Sequence, residues 1–155
     1  MSRILSLLFS IIVFIAIFAV KIDVTGFFEM GSALLTIFFP VLFLLSVYSP
    51  SQIVRAVKNL DVPADAGGSA LEYRQSAQIF TAYGIFSLSV GVSTSIISVI
   101  YLLMNLADPA GLSRNISVSL LAIFYSFIIM VFFCYPAAKV LENAAHRAEV
   151  FSDDS

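Results

Sequence analysis

NLADPAGLSRNISVSLL, residues 105–121, is a short polar interruption between two long apolar runs. Asp108-Pro109 disfavours helix at the residue before the proline. Gly111 permits a reversal. Ser113 is placed to cap a new helix, whose apolar run opens at Ile116. The stretch therefore predicts a hinge that joins two helices into a hairpin, with Asp108 and Arg114 as solvated hinge residues rather than catalytic groups.

Outward from the hinge, residues 79–106 form an apolar run without a charge, and residues 116–140 form a second, with Pro136 near its end. At 1.5 Å per residue the first of these reaches roughly 42 Å as a helix. A bilayer's hydrocarbon is about 30 Å thick, so the helix must tilt or project beyond it. Two more apolar runs lie upstream, at 4–20 and 33–48. The second contains Pro40, which a membrane helix tolerates when neighbours satisfy the freed carbonyl. Arg3 ahead of the first run leaves a signal-peptide reading open for it. The expectation is an all-α, single-domain integral membrane protein over 1–155 with four transmembrane helices, the third and fourth long.

Composition agrees. Of 155 residues, 60% are hydrophobic and 12% charged, and the mean hydropathy is +1.01. A soluble domain carries about 25% charged residues, and a chain this short cannot hide so much apolar surface by folding on itself. Membrane lipid is therefore the expected solvent. The net charge of −2 provides no basic field for nucleic acid. Cys134 is the only cysteine and His146 the only histidine, so no internal disulfide and no His/Cys zinc site is expected.

Arg3, Arg55, Lys58, Arg74, Lys139 and Arg147 fall on one side of a four-span topology, and only Lys21 and Arg114 on the other. By the positive-inside rule both termini are then cytoplasmic, with a cytoplasmic loop at 49–78 and a tail at 141–155. Within that loop, SPSQIVRAVKNL (49–60) reads as a short amphipathic helix opened by Pro50 and lying on the membrane surface. LEYRQSAQ (71–78) reads as a cytoplasmic extension of the third span.

No Asp, Glu, Lys, Arg or His stands in the middle of any span. Such residues usually mark ion pathways, so a proton carrier would have to come from a partner. No nucleophile–base pair, phosphate loop or paired carboxylates appear, and the chain is not read as an enzyme or as needing a cofactor or metal. The third run does carry a pattern: Gly84, Ser87, Gly91, Thr94, Ser95 and Ser98 recur at three- and four-residue steps, and Ser119, Ala122 and Ser126 continue it on the fourth. Small residues of this kind serve close helix packing. They could equally line a hydroxyl path beside a partner's ionisable group, and the pattern leaves both readings open.

YGIFSLSVGV (83–92), Ala107-Asp108-Pro109 and FFCYPAAKVL (132–141), in this order and spacing, resemble the channel region of the MotA/TolQ/ExbB family, above all its flagellar stator branch. SVYSPSQIVRAVKNL (46–60) is similar to the stretch that follows that family's second span. The resemblance implies a homopentameric ring in the bacterial inner membrane around a single-span partner. The partner's intramembrane Asp would carry a proton or sodium ion, whose flow would drive mechanical work. Three positions depart from the pattern: Thr81 replaces a proline, and Leu88 and Ile123 replace threonines, while Pro109 and Pro136 fit it. About 30 residues stand where the stator branch has a large cytoplasmic domain. A non-conducting scaffold of the same fold, or an unrelated four-span protein such as a lipid-binding module, remains the alternative.

Overall fold

The computed structural model describes residues 12, 30–61, 69–104 and 109–153. Among them the chain is helical, without a strand. It forms α1 (Met30–Val47), α2 (Pro50–Asn59), α3 (Ala70–Met104), α4 (Pro109–Ile128), a π-helical turn (Ile129–Cys134) and α5 (Tyr135–Asp153). Among the described residues two helices are long and apolar enough to cross a membrane, Ala70–Met104 and Ser119–Val150. A third counts only if Ala33–Val47 and Pro50–Asn59, bent by 114° at their junction, are taken together. The span expected at 4–20 lies outside the described residues, as does Asp108.

α3 and α4 lie side by side and antiparallel. Gly84 faces Met130 and Cys134, Gly91 faces Ala122 and Ser126, and Ser95 bonds to Ser119, so partner numbers fall as α3 ascends. α4 starts at Pro109, ahead of the expected start, so Gly111 and Ser113 sit inside the helix rather than serving as reversal and cap. Proline suits a first helical turn, where its missing N–H costs nothing and its φ is already helical. α3 starts at Ala70, so the polar 71–78 stretch is helical and continuous with the apolar run that opens at Ile79. Ser69 Oγ accepts the Glu72 N–H at 3.3 Å there, and Glu72 complements the positive helix end.

α2 is set by its own first turn. Ser49 and Gln52 form a reciprocal capping box, and Pro50 takes the first helical position. Its apolar face turns Ala56 and Leu60 into the main core, where they meet Leu44 of α1, Tyr73 and Ala77 of α3, and Leu141 and Ala145 of α5. This core sits at the end of the bundle that carries the charged residues. Farther along, the packing is by thin contact and the outer faces stay apolar: Phe38 and Leu42 on α1, Ile96 and Ile97 on α3, Leu120 and Phe127 on α4 are all exposed. A belt of this kind is matched by lipid rather than water.

The π turn precedes Pro136. In an α-helix this proline would leave the Phe132 carbonyl without a donor and press its ring against it. Here the Tyr135 N–H reaches five residues back to the Met130 carbonyl, and the widened turn takes up the proline before α5 resumes.

Candidate functional site in the long helical hairpin

Small residues on α3 are buried where the sequence pattern places them. Gly84, Ser87, Gly91 and Ser95 are buried, as are Ser119, Ala122 and Ser126 on α4, while Thr94 and Ser98 are half-buried. The two glycines are the points of closest approach. A Cβ built on Gly91 would stand 2.7 Å from the Ala122 carbonyl oxygen and 2.7 Å from Ser126 Cβ, and closer still to Ser126 Oγ. One built on Gly84 would meet Met130 Sδ and lie 2.9 Å from Cys134 Cβ. Absence of a side chain is thus what lets the two helices touch.

The stripe is not a single surface. Gly84 turns to the π turn and Gly91 and Ser95 to α4, whereas Ser87 turns to α1. Ser87 Oγ donates to the Thr36 carbonyl at 3.0 Å, and Tyr83 Oη donates to the Ile37 carbonyl at 3.0 Å. The first acceptor follows from Pro40. Thr36 is four residues upstream of it, so its carbonyl has no helical donor, and Ile37 is the next residue. Thr36 and Pro40 are themselves fully buried, and the Phe43 and Phe86 rings meet nearby, tilted by 37° with centroids 3.7 Å apart. The α1–α3 contact is therefore a proline-bearing stretch of α1 whose Thr36 and Ile37 carbonyls each accept from an α3 hydroxyl.

Two further buried hydroxyls are also bonded. Ser95 Oγ donates to the Ser119 carbonyl, and Ser126 Oγ to the Ile123 carbonyl at 2.8 Å. Among the described residues no buried side-chain oxygen or nitrogen lacks a partner. Leu88, Ile123 and Pro136 are half-buried, and Thr81 is exposed with its hydroxyl bonded to the Ala77 carbonyl at 3.0 Å. The hairpin's polar groups are hydroxyls and carbonyls, which can hold helices together or solvate a dehydrated cation. It has no carboxylate, amine or imidazole from Gln75 to Met104 or from Ile116 to Ala138. Among the described residues no cluster of His, Cys, Asp and Glu could hold a metal.

Charged groups gather at the opposite end from the hinge. Arg55 pairs with Glu72 at 3.4 Å, Arg74 of α3 with Glu149 of α5 at 2.6 Å, and Lys139 with Glu142 at 2.6 Å, all with exposed side chains. Lys139 Nζ also stands 5.9 Å from the Tyr135 ring centre. Sequence reasoning singled out neither Thr36 and Tyr83 nor Met130 and Cys134 as parts of the seam. Pro40 was the available signal for the first pair, since a buried proline leaves a carbonyl that an outside donor must satisfy. Pro136 was the signal for the second, since it imposes the π turn that brings Met130 and Cys134 against Gly84. No family model matches the chain, and no curated protein matches it.

Proposed function

We propose that this chain is a channel-forming subunit of an ion-driven complex similar to the MotA/TolQ/ExbB family, with no catalytic activity of its own. In this reading five copies form a ring in the bacterial inner membrane with both termini cytoplasmic, and each crosses the bilayer four times. A single-span partner supplies the intramembrane Asp, and proton or sodium flow past it is coupled to mechanical work. The observation that carries the reading is the α3–α4 hairpin. It is two antiparallel helices running from a charged end through an apolar belt, with no acid or base from Gln75 to Met104 or from Ile116 to Ala138. A subunit so built contributes the lining of a path and leaves charge transfer to another chain. The sequence resemblance around Gly84, Gly91, Pro109 and Pro136 adds the family.

A second reading, a non-conducting scaffold of the same fold, draws support from a specific observation. The buried hydroxyls Ser87, Ser95 and Ser126 all donate to main-chain carbonyls within the one subunit. Leu88 and Ile123 also stand where the family has threonine. Co-reconstitution with a single-span, Asp-bearing partner in proteoliposomes separates the two. Proton uptake that requires the partner's Asp and falls with Thr94→Ala supports the channel. A stable complex without uptake, unaffected by Thr94→Ala, supports the scaffold.

A further inference from the structure

Beneath the bend between α1 and α2 lies an apolar recess of about 420 Å³. This falls within the roughly 300–1,000 Å³ range of small-ligand sites. Val41 and Leu44 of α1, Val57 of α2, Phe80 of α3 and Phe132 of the π turn enclose it. Ile79 is a wall it shares with a second, polar crevice of about 250 Å³, which Tyr48, Gln52, Arg55, Glu72 and Gln75 line. Across one side chain the surface changes from hydrocarbon to guanidinium and amide, the same order of parts found along an amphiphile. We propose that this composite site binds an anionic phospholipid, with an acyl chain in the recess and the phosphodiester on Arg55.

Depth and charge both fit. α2 leaves α1 at 114° and exposes Val54 and Val57 on one face and Ser51 and Lys58 on another, the character of a helix lying in the headgroup layer. Tyr48, at the bend, is a residue type that marks that layer. Arg55 is held by Glu72 across 3.4 Å with both side chains exposed, a pairing that contributes little. A phosphodiester offers the planar guanidinium a bidentate, charge-assisted alternative. Lys58, one turn further along α2, has no ion pair among the described residues and adds to the positive field. Two other occupants would fill the recess with apolar surface: the chain's own residues 4–20 and a second copy of the subunit. Neither matches Arg55, because residues 4–20 hold no acid, and in a second copy the exposed Glu142 and Glu149 of the charged end are already paired with Lys139 and Arg74.

The proposal stands whether or not the subunit conducts ions. The full-length chain is purified in mild detergent with an equimolar mixture of phosphatidylglycerol and phosphatidylcholine, and native mass spectrometry counts the lipid retained. Wild type is expected to keep about one lipid per subunit, with phosphatidylglycerol preferred. Arg55→Gln lowers that preference about tenfold, the scale of one lost charge-assisted contact, while chain binding persists. Val57→Trp, at an exposed position, fills the recess and removes both lipids. Arg147→Gln, a cation outside the two cavities, changes neither. Equal retention of the two lipids by wild type, or an unaltered preference in Arg55→Gln, overturns the proposal. So does disulfide formation between Leu8→Cys and Val41→Cys in a Cys134→Ala background, which would seat the N-terminal run in the recess.

Discussion

Replacing Gly91 by alanine tests whether the seam is as close as its geometry requires. The new methyl lies 2.7 Å from the Ala122 carbonyl oxygen and from Ser126 Cβ, where ordinary contact begins at 3.4 Å. The helices must therefore part by about 0.7 Å at this level, because a backbone oxygen and a Cβ cannot swing aside. Overpacking of this kind costs about 1–3 kcal/mol, and fixed neighbours put this site at the upper end. One turn along, the Ser95–Ser119 bond is stretched as well, at a cost of about 0.6 kcal/mol. Alanine returns about 1 kcal/mol through its better helix propensity. The net expectation is a loss of about 2 kcal/mol, read from reversible unfolding in mixed micelles by far-UV circular dichroism. Gly84→Ala is the internal comparison. Its closest clash is with Met130 Sδ on a flexible side chain, which leaves one fixed close contact, Cys134 Cβ at 2.9 Å, so it should cost about 1 kcal/mol, less than Gly91→Ala. Adding Ser126→Gly to Gly91→Ala removes two of the three close contacts and should recover part of the loss. Equal stabilities for Gly91→Ala and Gly84→Ala would refute the close-packed seam.

Two further predictions rest on local hydrogen bonding. Ser87→Ala should cost about 0.6–1.7 kcal/mol where Pro40 is present and clearly less in a Pro40→Ala background, where the Thr36 carbonyl regains a helical donor. A double-mutant cycle with no coupling would dismiss the carbonyl-covering role. Ser49→Ala breaks the capping box and should raise amide exchange across residues 50–59 by about 1 kcal/mol of local opening while α3 stays protected. Unchanged exchange would mean that α2 is held by its packing alone.

Much of the architecture was legible from residue order. The amphipathic 49–60 stretch, the helical extension ahead of Ile79 and the burial of Gly84, Gly91 and Ser126 all follow from local periodicity and turn chemistry. What escaped depends on partners far apart in sequence. That Ser87 serves α1 rather than α4 could not be read from its spacing, because Ser87, Gly91 and Ser95 sit on one broad face and only the third helix divides it. The start of α4 was displaced because Pro109 is at once a disfavoured neighbour for Asp108 and a favoured first residue of a helix, and the second role prevails. The π turn has no periodic signature of its own, since it begins as an uninterrupted apolar run, and only Pro136 hints at it.

That turn also gives the chain a freedom of length. It holds one residue more than an α-helical path would need, and one residue corresponds to about 100° of rotation along a helix. Dropping a residue between Ile129 and Cys134 would draw the wide turn tight and leave Ser126 above and Leu141 below still aimed at α3. The same deletion within 116–126 would swing everything downstream around the rod, carrying Ala137 and Leu141 out of the core and parting Arg74 from Glu149. Variation in the number of residues is thus absorbed at one place on this helix, and that place lies directly opposite Gly84.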